Sequence, residues 1–126
     1  MTRPSVTAQP PGFVVEWAPL SGAPGVLVRG DVDIDTAPRL TDALDDAIRG
    51  TRGVFVLDLC EVTFLDSSGI NVLVRARALL GRAARELVVI CPPGPARRTF
   101  ELTGLADLLA VFESRERAAG SLRPAT

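Results

Sequence analysis

Two near-continuous apolar runs, residues 54–59 and 87–90, constrain the fold of this chain more than any other feature. A strand with one wet face alternates apolar and polar side chains. A run without that alternation belongs to a strand covered on both faces, the usual condition in parallel sheets flanked by helices. Between the two runs, Ile70, Leu73, Val74, Ala76, Arg77 and Leu80 trace a helix that ends near Gly81. Before the first run, Leu40, Ala43, Leu44, Ala47 and Ile48 recur at the same spacing, with Asp35 or Thr36 as N-cap and Gly50 as the stop. Helices interposed between buried strands are crossovers, and crossovers make the strands parallel.

The remaining segments extend this plan. Residues 13–17 and 26–29 are short apolar runs separated by a stretch bounded by Pro19 and Gly25, which predicts a hairpin. Pro92, Pro93, Gly94 and Pro95 end the second buried strand. Residues 96–102 then make a helix closed by Gly104, 106–109 add a helical turn, 110–112 a last strand and 115–119 a short helix. The expectation is one α/β domain over residues 12–119. Its sheet is mixed but largely parallel, with four to five strands and about four helices; residues 1–11 and 120–126 are flexible tails. At 126 residues such a domain buries a core without disulfides or metal.

Composition narrows the chemistry. The chain has no His, no Tyr and no Lys, and its net charge is -1. Serine–histidine and cysteine–histidine catalytic pairs are therefore absent, the common zinc sites lose a ligand, and any general base has to be Asp or Glu. No basic surplus points to nucleic acid or an anionic membrane. We expect a protein that is not an enzyme, needs no metal or cofactor, is monomeric when free, and is cytoplasmic without direct membrane contact. Cys60 and Cys91 each close an apolar run and read as buried free thiols.

In sheets of this kind function gathers at the carboxyl ends of the strands, here residues 30–36, 60–69 and 91–96. The second holds Asp66-Ser67-Ser68-Gly69, placed where a helix begins. Unpaired N–H groups and the helix dipole favour negative charge there, by roughly 0.3–1 kcal/mol. Asp and Ser at such a place are also ordinary caps, and from these four residues alone both readings stand. Asp31, Asp33 and Asp35 read as a solvated strand edge; they lack the glycine and distant glutamate of an EF-hand. Gly94 reads as a turn and Trp17 as hairpin packing. Arg97 and Arg98 oppose the dipole at a helix start, which leaves a partner role open.

A resemblance decides between the readings of Ser67. Val62-Thr63-Phe64-Leu65-Asp66-Ser67-Ser68-Gly69-Ile70 resembles the signature of bacterial anti-sigma factor antagonists in the STAS domain superfamily. Gly30-Asp31-Val32-Asp33-Ile34-Asp35-Thr36-Ala37 is similar to that family's approach to the first helix. Pro95-Ala96-Arg97-Arg98-Thr99-Phe100-Glu101-Leu102-Thr103-Gly104-Leu105 looks like its third helix and the following turn. The resemblance implies a partner switch. The dephosphorylated form binds an anti-sigma factor, usually a serine kinase, and so releases a sigma factor; the kinase phosphorylates Ser67 and a serine phosphatase reverses it. Asp31, Asp33, Asp35, Thr36, Asp66, Ser68, Gly69 and Asn71 are the partner-binding residues this implies. Asn71 departs from the family, where a small glycine is frequent.

Three other functions compete. A STAS subunit regulating a transporter or sensory complex would share the fold. A receiver domain would use Asp58 as phosphoacceptor, but it relies on a lysine that the chain lacks. A hydrolase with Ser67 as nucleophile has no general base.

Overall fold

Both apolar runs are central strands. A computed structural model describes residues 12–122 and shows one five-stranded sheet in the order β1-β2-β3-β4-β5. The strands are β1 (Val14–Trp17), β2 (Gly25–Val32), β3 (Phe55–Leu65), β4 (Leu87–Ile90) and β5 (Ala110–Phe112). β1 runs antiparallel to β2 and every other neighbouring pair is parallel. The helices are α1 (Ala37–Arg49), α2 (Ser67–Gly81), α3 (Pro95–Thr103) and α4 (Arg115–Ser121), with a 3-10 turn at Leu105–Asp107.

The two sheet faces explain the unbroken apolar runs. Phe55, Leu57 and Leu59 of β3 and Leu87 and Val89 of β4 join Leu40, Leu44, Leu73, Leu80 and Phe100 in the main core, formed with α1, α2 and α3. Val56, Val88 and Ile90 face the other way and pack with Ala118 of α4. Each such side chain, fully buried, contributes about 1.5–3 kcal/mol. One polar group interrupts the second face. Asp58 is completely buried there, and its carboxylate accepts from Arg115 Nη1 at 2.7 Å and from the Cys60 amide at 2.9 Å. Arg115 Nη2 also donates to the Pro19 carbonyl at 3.0 Å, so one side chain ties α4 to β3 and to the β1–β2 turn.

Several details depart from the pattern read in the sequence. β2 continues to Val32 and β3 to Leu65, past the polar residues that looked like strand ends, because the two extensions pair with each other. α2 buries Gly69, Val72, Leu73, Ala76 and Leu80 and turns Val74 outward; Val72, Leu73 and Val74 are consecutive apolar residues, so their spacing did not fix the face. Gly50 ends α1 with φ -86°, without the left-handed conformation. α4 takes in Gly120 and Ser121, the first residues of the expected C-terminal tail. The N-terminal tail, residues 1–11, lies outside the described residues. Trp17 is 51% exposed on the edge strand and does not seal the hairpin.

The two cysteines also differ. Cys91 is buried, and burial pushes its thiol up to about 11. Cys60, expected to be buried, is exposed in the distal half of β3. Its sulfur is nevertheless raised to about 12, first by desolvation and then by the neighbouring Asp58 carboxylate, so both remain thiols at neutral pH.

Candidate functional site

The ends of β2 and β3 and the start of α2 make one surface. Val32 pairs with Leu65, and the Asp66 amide donates to the Val32 carbonyl at 3.3 Å, which fastens the approach to α2 onto the end of β2. Asp66 is the N-cap of α2. Its backbone is extended, and Oδ1 accepts from the Ser68 amide at 2.8 Å and the Gly69 amide at 3.4 Å. Such a cap contributes about 1 kcal/mol. Ser67 is therefore the first residue of α2, and it is exposed. The capping role that the sequence left open between Asp66 and the serines belongs to Asp66.

Gly69 lets α2 come this close to the sheet. A Cβ at that position would overlap the Leu65 side chain and stand 2.9 Å from Val32 Cγ1. Gly69→Ala is therefore expected to displace Leu65 or lift the first turn of α2, at about 1–3 kcal/mol of stability. A urea titration of the variant checks this, and an unchanged midpoint would show that the contact is soft.

The acidic loop is held by its own side chains. Asp33 Oδ1 accepts from the Asp35 amide at 2.9 Å and the Thr36 amide at 3.1 Å. The buried Thr36 hydroxyl accepts from the Asp33 amide at 3.0 Å and donates to the Asp31 carbonyl at 2.7 Å. Thr36 is the N-cap of α1, but its hydroxyl serves this turn and caps no helix amide; Pro38 in the first turn needs no such partner. Asp31 Oδ1 accepts from the Thr63 hydroxyl at 2.5 Å. Of the three aspartates, Asp35 alone makes no side-chain hydrogen bond among the described residues, so Asp31 and Asp33 act largely in shaping the loop. No group of three or more His, Cys, Asp or Glu side chains among the described residues forms a metal-binding cluster.

Sequence reading missed the apolar part of this surface. Ile34, at the tip of the acidic loop, is 75% exposed. It borders an open groove between α1 and α2 that is also lined by Pro38, Thr41, Ser68, Asn71 and Arg75. Asn71 thus faces the groove. Arg75 is held across it by Asp45 at 2.8 Å. An isolated isoleucine among aspartates carries no periodic signal; only its exposure marks it out. Behind the site, the Thr99 hydroxyl of α3 donates to the Leu65 carbonyl at 3.1 Å. Arg97 Nη1 donates to the Cys91 carbonyl at 2.7 Å, which makes it a brace of the β4–α3 turn and not a free cation for a partner. Arg98 is exposed.

A five-stranded, largely parallel sheet with its one antiparallel edge strand and four helices defines an α/β class of domain, and comparison with known families narrows it. The STAS domain family model matches residues 21–118, and the chain belongs to this family. Over 92 residues it is 35% identical to the anti-sigma-B factor antagonist of Staphylococcus aureus, covering 72% of this chain and 84% of the relative. The crystal structure of an anti-sigma factor antagonist from Mycobacterium paratuberculosis superposes with a TM-score of 0.82 at 27% identity, over 91% of this chain and 97% of that one. The Bacillus cell fate determinant SpoIIAA in its phosphorylated form shares the fold, with a TM-score of 0.61 at 21% identity over 88% of this chain and 99% of the other.

Proposed function

We propose that the protein is a cytoplasmic anti-sigma factor antagonist. Its unphosphorylated form docks an anti-sigma factor of the serine kinase type and thereby frees a sigma factor; phosphorylation of Ser67 ends the docking, and a serine phosphatase restores it. The observation that carries this reading is the exposed Ser67 at the first position of α2, beside the groove and the acidic loop. The hydroxyl is open to a kinase. Asp66 and Asp35 set the charge around it, while Ile34, Ser68 and Asn71 offer contact area to a partner. No helix of the described residues is long and apolar enough to cross a membrane.

In this scheme Asp31, Asp33 and Thr36 keep the loop in the shape that the partner meets. Asp66 and Gly69 fix the direction of Ser67. Incubation with the cognate kinase and ATP is expected to add a single phosphate, which phosphopeptide mapping places on Ser67. A phosphate on Ser68 or on an aspartate would defeat the assignment.

A further inference from the structure

A hollow of about 470 Å³, larger than the groove beside Ser67, opens at the opposite pole, where α1 and α2 end. The helices have 13 and 15 residues, so at 1.5 Å per residue the hollow stands about 20 Å from the Ser67 end. Its floor is apolar, made by Ile48, Leu79 and Ala83, and its rim carries Arg49, Arg52 and Arg85. Its size lies within the range of small-molecule sites, roughly 300–1,000 Å³.

Three arginines meet at this rim, and they are among those of the fold that hold no acid. Arg29 holds Glu16 and Glu61, Arg75 holds Asp45, and Arg115 holds Asp58. Arg49, Arg52 and Arg85 form no ion pair among the described residues. Arg85 is spent on neutral acceptors. Its Nε donates to the Gly53 carbonyl at 2.7 Å, Nη1 to the Ile48 carbonyl at 2.6 Å and Nη2 to the Thr51 hydroxyl at 2.9 Å. Burial lowers its pKa and no acid offsets that. The carbonyl end of α1 compensates part of the charge, but a partly dry guanidinium without a counter-ion is stabilised further by an arriving anion. Arg49 and Arg52 are exposed beside it and free to close on the same group.

We infer that this hollow binds a small amphipathic anion, its head held by Arg49, Arg52 and the outer N–H groups of Arg85 and its apolar body laid on Ile48, Leu79 and Ala83. The site is separate from Ser67 and stands whether or not the partner-switch reading holds. The test is a two-dimensional NMR titration of the full chain with 4-phenylbutyrate, compared with 4-phenylbutan-1-ol, which lacks the charge, and with inorganic phosphate, which lacks the apolar body. Amides of residues 49–53 and 79–85 are expected to shift saturably with 4-phenylbutyrate, about tenfold or more tighter than with either control. Arg49→Glu combined with Arg52→Glu should weaken that binding by about tenfold with the rest of the spectrum unchanged. Equal affinity for the acid and the alcohol, shifts confined to other surfaces, or indifference to the double charge reversal would each overturn the inference.

Discussion

Ser67→Asp is expected to fold like the parent protein and to lose about 100-fold or more in affinity for the anti-sigma factor, with phosphoserine at least as severe. The internal effect is small because opposing terms meet at the start of α2. The dipole favours an added anion by roughly 0.3–1 kcal/mol. The Ser68 and Gly69 amides, however, already serve the Asp66 carboxylate, so a new anion finds them occupied and stands next to a negative charge. Across an interface the balance is different. A phosphoserine brings about -1.5 to -2 charge and three strongly hydrated oxygens to a surface that already carries the Asp66 carboxylate. A docked partner would have to strip that water or stand off. About 3 kcal/mol corresponds to roughly a 150-fold loss. Calorimetric titration of the parent, Ser67→Ala and Ser67→Asp against the anti-sigma factor measures this directly. Ser67→Ala should bind within a few-fold of the parent and fail to switch. Raising the salt should recover part of the Ser67→Asp loss, since charge is screened and shape is not. If Ser67→Asp binds as tightly as Ser67→Ala, the switch does not work through charge at this hydroxyl.

The parts of this fold that were legible in the sequence are those governed by burial on two faces. Leu87–Ile90 is a strand with the expected ends because all four residues lie inside and Cys91 and the prolines follow. The distal halves of β2 and β3 were not legible. Asp31, Glu61 and Thr63 look like loop residues. They are strand residues because Val28, Val32, Val62 and Leu65 hold one face to the core while the other carries the Arg29–Glu61 and Asp31–Thr63 pairs. Two register shifts in this pairing break the period of two that would have announced it. The site divides in the same way. Asp66-Ser67-Ser68-Gly69 announces a helix start through capping chemistry, which is local. The inward turn of the Asp33 carboxylate and the exposure of Ile34 depend on where β2 delivers the loop, which is set by tertiary structure.

The same tertiary logic makes Arg115 the side chain with the largest expected effect on stability. Asp58 is fully buried among Val56, Val88, Ile90 and Ala118, and Arg115 supplies its counter-charge from a helix of only seven residues. Arg115→Met leaves that carboxylate alone in an apolar layer and also frees the Pro19 carbonyl. Breaking a buried pair from one side costs about 3–5 kcal/mol. We expect about 3, because 38% of the Arg115 side chain meets water and screens part of the interaction. For a domain of this size that lowers the thermal midpoint by roughly 10 °C. The opposite deletion, Asp58→Leu, should cost less, about 1–2 kcal/mol, because the partly exposed Arg115 can keep its bond to the Pro19 carbonyl and only the Cys60 amide loses a partner. Combining the two changes should recover most of the loss, since the desolvation of a buried ion pair commonly matches or exceeds its attraction. Urea unfolding of the two single variants and the double variant supplies the cycle. Equal losses for Arg115→Met and Asp58→Leu, or a double variant as unstable as their sum, would mean that the buried carboxylate is not the source of the penalty. Because this staple lies on the α4 face, away from the start of α2, each variant that remains folded should still bind the anti-sigma factor as the parent does.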